Sequence, residues 1–142
     1  TDENSLEHHI GKFGDSMETI RKNLEGRYSK LEERELRLIL STAKKKQTQL
    51  ECYDFVFRGK KRFVELMFSD NKLEIIHIMK TESDHDELKA ILVEKHGQPS
   101  FSSDVVDYYA VAGISLRTKP YEISFVSKNV RFEYNEYMKN LR

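Results

Sequence analysis

Three runs of alternating apolar residues, broken by two short polar turns, constrain this chain more than any other feature. Leu50 and Cys52 open the first run, and Tyr53, Phe55 and Phe57 close it. Arg58-Gly59-Lys60 follows as a turn. Val64, Leu66 and Phe68 mark one side of the second run, and Asp70-Asn71 reverses the chain into the third, Leu73 to Met79. A period of two is the pattern of a half-buried strand. Gly, Asn and Asp tolerate the left-handed backbone of a tight hairpin turn. The segment therefore reads as an antiparallel meander.

Helices flank it. Asp15 and Glu18 have capping-box spacing, Met17, Ile20 and Leu24 form a stripe, and Gly26 is the stop. A second helix takes Ser83 as N-cap and carries Asp84, Asp86 and Glu87 at its positive end. It buries Leu88, Ile91 and Leu92 and ends at Gly97 and Pro99. A second set of strands follows: Val105 to Val111, Ile114 to Thr118, then Tyr121, Ile123 and Phe125. Lys128-Asn129 turns into a further strand through Val130, Phe132 and Tyr134, before a short helix from Glu136 to Leu141. Residues 27–46 admit two readings. Leu36, Leu38 and Leu40 alternate as in a strand, while Leu31, Glu35 and Leu38 suit a helix; a strand is taken here.

The fold class expected is α+β. Two helix-plus-antiparallel-meander halves, residues 13–80 and 83–142, share one curved antiparallel sheet with helices packed on one face. Residues 1–12 are polar and read as a flexible arm, and residues 13–142 as a single domain, which suits a chain of 142 residues. An offset of 57 places Phe68 on Phe125, Glu65 on Glu122, Leu66 on Ile123, Arg62 on Lys119, Leu73 on Val130 and Ile75 on Phe132. This is the pattern of an internal repeat, although alternation alone also aligns apolar residues of unrelated hairpins.

Charge narrows the function classes. Lys+Arg and Asp+Glu both number 24, so the net charge is zero. Binding to nucleic acid or to an anionic membrane is driven by cationic excess, so nucleic acid is not the expected partner. No apolar run reaches the ~20 residues that span a bilayer. Cys52 is the only cysteine, which excludes an intramolecular disulfide and fits both cytosol and periplasm. The start at Thr1 rather than Met reads as a processed or trimmed end.

Several constellations bear on chemistry, and each has a bland counterpart. Cys52 is a thiol candidate, but it lies mid-strand without a local triad pattern, where a small buried residue is the simpler reading. His8-His9 and Asp84-His85-Asp86-Glu87 lack the ligand spacing of a metal site, and the acidic run already serves a helix start. Glu65 and Glu122 are raw material for acid–base work if they share a face; the plainer reading is solvent-facing carboxylates opposite Arg or Lys. Neither a Gly-rich phosphate loop, a nucleophile elbow nor a zinc-protease motif occurs. No catalytic, cofactor or metal residue is assigned. Arg58, Lys60, Lys61 and Arg62 form a basic hairpin tip flanked by Phe57 and Phe63, able to grip a phosphate backbone or simply solvating a turn.

The stretches Gln47-Thr48-Gln49-Leu50-Glu51-Cys52, Phe57-Arg58-Gly59-Lys60-Lys61-Arg62, Glu65-Leu66-Met67-Phe68 and Ser115-Leu116-Arg117-Thr118-Lys119-Pro120-Tyr121-Glu122-Ile123 resemble a group of small uncharacterised exported proteins of Gram-negative bacteria. The double helix-plus-meander organisation is similar to that of beta-lactamase-inhibitory proteins and of small outer-membrane-assembly lipoproteins. That likeness implies a curved antiparallel sheet and a role in binding proteins; the chain departs from the lipoproteins in having no lipidation cysteine. The expectation is a non-enzymatic, periplasmic or secreted accessory protein. It would hold a protein partner on the exposed sheet face, including Tyr108, Tyr109 and Tyr121. Polyanion binding through Arg58–Arg62 and a thiol enzyme using Cys52 are the alternatives.

Overall fold

A computed structural model describes residues 5–141. The first helix, α1 (Met17–Leu24), begins one residue later than the capping box implies. Ser16 is its N-cap, and its hydroxyl accepts from the Thr19 amide, while the Asp15 carboxylate accepts from the Lys12 amide. Four strands follow: β1 (Lys30–Leu36), β2 (Gln47–Phe57), β3 (Lys60–Ser69) and β4 (Lys72–Met79). Both expected turns are present. Arg58 and Gly59 have φ of 55° and 77°, and Asp70 and Asn71 have 48° and 66°, which is the left-handed pair of a two-residue hairpin. Asp70 does more than turn the chain. Its carboxylate accepts from the amides of Lys44, Lys45 and Lys46 and so pins the loop before β2.

A 3-10 turn at Glu82–Asp84 leads into α2 (His85–His96). Ser83 does not cap it; the Ser83 hydroxyl takes a hydrogen bond from Lys60 instead. Strands β5 (Phe101–Ser102), β6 (Val106–Tyr109), β7 (Ile114–Thr118) and β8 (Tyr121–Val126) come next. Gly113 begins β7's approach with φ of 69°, and a Cβ there would lie 2.5 Å from the Val126 carbonyl oxygen. Only glycine fits. After a 3-10 turn at Lys128–Val130, the chain closes with α3 (Arg131–Lys139).

All eight strands form one antiparallel sheet in the order β1-β2-β3-β4-β8-β7-β6-β5. Two four-stranded meanders thus meet at β4 and β8. The α+β architecture, the single antiparallel sheet and the helix leading each meander are as the sequence indicates. The 57-residue register is not. It lays β4 on the last 3-10 turn and α3, because Val130, Phe132 and Tyr134 are helical rather than extended. Phe132 is 80% exposed there.

Alternation along each strand sends side chains to opposite faces. The first face carries Leu50, Cys52, Phe55, Leu66, Phe68, Ile76, Ile78, Leu116 and Ile123, and α1 and α2 cover it through Ile20, Leu24, Leu88 and Leu92. Residues 5–12 are not a loose arm: Leu6 and Ile10 are buried in this same core, and Arg27 holds the His8 and His9 carbonyls. Residues 1–4 of the expected arm lie outside the described residues. The second face differs. There α3 docks, through Tyr134 and Met138, on Met67, Ile75, Tyr108 and Val126, joined by Leu40 of the loop after β1. The pair α1 and α2 shares one face as expected, and the last helix adds a cover on the other. Leu38 and Ile39 are exposed in that loop, so β1 ends before the alternation that suggested it.

Candidate functional site

The helix α3 covers only part of the second face. What remains is organised by one cross-strand row. Successive register partners run Glu32, Glu51, Glu65, His77, Ser124, Ser115, Tyr108 and Phe101, one from each strand. One end is acidic and the other aromatic. Tyr134 of α3 closes the aromatic end with its hydroxyl 3.3 Å from Ser115. Burial pushes the Tyr134 phenol up to about 12.

The middle of the row is a packed polar cluster. His77 Nδ1 lies 2.9 Å from a Glu122 carboxylate oxygen and 2.6 Å from the Ser124 hydroxyl. Ser124 donates to the same Glu122 oxygen at 2.7 Å, and Arg117 approaches its other oxygen at 3.6 Å. Burial works against charge on Glu122. The His77 hydrogen bond and charge, Ser124 and Arg117 outweigh it and hold the carboxyl below its ordinary range. With Ser124 donating to Glu122, the network assigns the proton to His77 Nδ1. Ser124 and the carboxylate therefore share one ring nitrogen. A nucleophilic triad needs them on opposite nitrogens, so Ser124 is not an activated nucleophile.

Glu65, beside His77, is held differently. It accepts from the Gln49 side chain at 2.8 Å, and among the described residues no Lys or Arg pairs with it. Glu51 by contrast meets Arg34 at 3.0 Å. Burial, then the neighbouring Glu122 and Glu51 charges, push the Glu65 carboxyl up, against the pull of His77 and Gln49. Next to this cluster the second face carries Tyr53 and Phe63, half-buried, with rings 4.8 Å apart. Met79 stands opposite Glu122.

Glu65 and Glu122 thus do share a face, with His77 between them. Glu122 has its arginine as the plain reading asks; Glu65 does not. His77, Ser124 and Arg117 were not singled out from the sequence. Their signal is polar residues at alternate positions in strands whose other face is mainly apolar.

The residues proposed from sequence are dispersed. Tyr108 and Tyr109 are buried on opposite faces, Tyr108 donating to Asn135 and Tyr109 packing near His96. Neither offers open surface, because α3 and α2 cover them. Tyr121 is half-buried on the first-face side, edge-on to His85. Arg62 is sealed inside: its guanidinium takes both oxygens of Asp84 at 3.0 and 2.8 Å and donates to the Lys80 and Phe57 carbonyls. Arg58 pairs with Asp84 and Glu87. Of the basic tip, Lys60 and Lys61 stay exposed, and Phe57 and Phe63 fall on opposite faces instead of flanking it. Cys52 is fully buried, and burial raises its thiol to about 11. A thiol held protonated is a poor nucleophile. His8 is kept neutral, first by burial and then by His9 and Arg27, which lower it to about 4.

Two surface hollows lie elsewhere. One of about 930 Å³ is bordered by His8, Arg27, Phe57, Arg58, Glu87 and Ile91; a second of about 400 Å³ is bordered by Arg27, Tyr28, Asp54 and Lys61. Neither includes His77 or Glu65. Among the described residues no helix is long and apolar enough to cross a membrane.

Comparison with known proteins adds one finding. A family model described as "Uncharacterised protein" matches residues 10–141, nearly the whole chain. No curated protein and no solved structure matches. The match spans every strand and helix above, and the chain belongs to this family of uncharacterised proteins.

Proposed function

We propose that this chain is a non-enzymatic binding module that holds a protein partner on the uncovered part of its second sheet face. The observation behind the reading is the Tyr53–Phe63 pair, half-buried, outside both helix-covered clusters and set beside the Glu65–His77–Glu122 cluster. Two aromatic rings next to fixed polar groups give contact area at low entropic cost together with orientation. An exported location, in the periplasm or outside the cell, is proposed with it and rests on the likeness to small exported proteins. The two meanders meeting at β4 and β8 further support descent from a duplicated helix-plus-meander unit.

Photo-crosslinking residues placed at Tyr53, Phe63 and, as control, exposed Val93 on α2 test the reading in the producing cell. The expected result is one discrete adduct from positions 53 and 63 and none from 93. Equal labelling from all three, or none from any, would sink it. Fractionation of the same cells reads the compartment.

A further inference from the structure

We propose that two copies of this chain join edge to edge through β1, across a two-fold axis at Glu33, to make one continuous sheet. The two margins of the sheet are unequal. β5 has two residues, whereas β1 has seven, Lys30–Leu36. Among the described residues no strand pairs with the outer side of β1. An edge of that length carries a row of backbone donors and acceptors ready for another strand.

The side chains choose the partner. A two-fold axis perpendicular to the sheet keeps each face continuous, so β1 residues of one face must oppose residues of that face in the second copy. Three such registers use most of the strand. Centring on Glu32 sets Lys30 against Arg34 and Glu32 against itself. Centring on Arg34 sets Arg34 against itself and Glu33 against Glu35. Centring on Glu33 sets Glu32 against Arg34 twice, Lys30 against Leu36 and Leu31 against Glu35, and it engages all seven residues. Opposite charges directly across a strand pair attract and like charges repel, so the third register alone is complementary.

Its one like pair is Glu33 with its copy on the axis. Each Glu33 is already bound by Arg21 of its own α1 at 3.0 Å, so the axis holds two carboxylates and two guanidiniums. The reaching groups are accessible: Arg34 is 59% and Glu32 39% exposed. Charges on an edge strand ordinarily discourage pairing. Here they discourage the other two of these three registers. Such an interface is small, so association is expected only at high protein concentration.

Sedimentation of the chain from about 10 μM to about 1 mM reads the outcome. The wild type should approach twice the monomer mass at the upper end. Glu32→Arg and Arg34→Glu, each folded by circular dichroism, should stay monomeric throughout. An equimolar mixture of the two variants should regain the doubled mass, since every acid then again faces a base. The double variant Glu32→Arg/Arg34→Glu should pair with itself. A wild type monomeric over the whole range overturns the proposal. So does a mixture that stays monomeric while the wild type pairs, or single variants that pair as well as wild type.

Discussion

The same eight strands present two very different faces. The first is largely apolar across β2 to β4 and β7 to β8, and two helices and residues 5–12 seal it. Its most deeply buried charge is Arg62, which sits among buried groups only because Asp84 and two carbonyls satisfy its donors. The second face is apolar beneath α3 and at the Tyr53–Phe63 pair, and between them runs a row of carboxylates, a histidine and hydroxyls. The contrast shows how one sheet separates duties. One side carries stability through apolar burial, and the other holds polar groups in a defined geometry through hydrogen bonds and ion pairs.

The sharpest way to break this comparison is to remove the buried charge on the stable side. Arg62→Ala leaves Asp84 buried without its bidentate partner. Loss of one partner of a buried pair costs about 3–5 kcal/mol, read by urea unfolding at neutral pH. The pH dependence gives a second reading. Burial opposes the Asp84 charge, but the Arg62 hydrogen bonds and charge, with Lys60 and Arg58, hold its carboxyl below the ordinary range. A depressed folded value means stability that is present above the unfolded value and lost as pH falls through the folded one. In Arg62→Ala only Lys60 and the longer Arg58 contact remain to oppose burial, so this acid-side loss should shrink. A variant that loses under about 0.5 kcal/mol, the range of an ordinary surface change, would show that the guanidinium is not buried as described.

A smaller effect tests where the second face changes character. Tyr134 of α3 meets the polar row, and its hydroxyl stands by Ser115. Tyr134→Phe keeps the ring in its apolar site and removes one hydrogen bond, which costs about 1 kcal/mol. Amide exchange should quicken in α3 and β7 and leave α1 and α2 unchanged. Uniform quickening would mean that α3 belongs to the same cooperative unit as the first face, and the division drawn here would fail.

Much of the first face was legible in the sequence, and much of the second was not, for a physical reason. Leu50, Leu66, Phe68 and Ile76 announce a strand face because alternation and burial coincide there. Asp70-Asn71 and Gly97 announce chain reversal because few residues accept their backbone. The segment from Val130 to Tyr134 alternates as well, yet Val130 and Tyr134 are also four apart, and one helix face buries both. Local pattern does not separate the two readings; the need to cover Met67, Ile75 and Val126 does. Tyr108 and Tyr109 looked like surface because tyrosine is amphipathic, and only the register shows helices above each. The polar cluster needed that register too: Glu65, His77 and Ser124 come from three strands, and 47 residues separate His77 from Ser124.

The smallest effect is also the most discriminating for the second face. Glu65 is the carboxylate of the row that no Lys or Arg among the described residues neutralises, and burial with the nearby Glu122 and Glu51 charges pushes its carboxyl up. A raised folded value means that the native state favours the protonated form. That contribution is full below the unfolded value and is lost as pH rises through the folded one. Glu65→Gln removes the charge yet keeps an oxygen to accept from Gln49. The variant should therefore be more stable than wild type at neutral pH, by about 0.5 kcal/mol, and the gap should close below pH ~4. Paired urea titrations at both pH values measure it. If the row serves a partner, the same variant should weaken crosslinking from position 63 while stability rises, since the charge would be kept for contact and at the expense of the fold. A Gln variant no more stable at neutral pH than in acid would place Glu65 in open solvent, and the row would then be ordinary sheet surface.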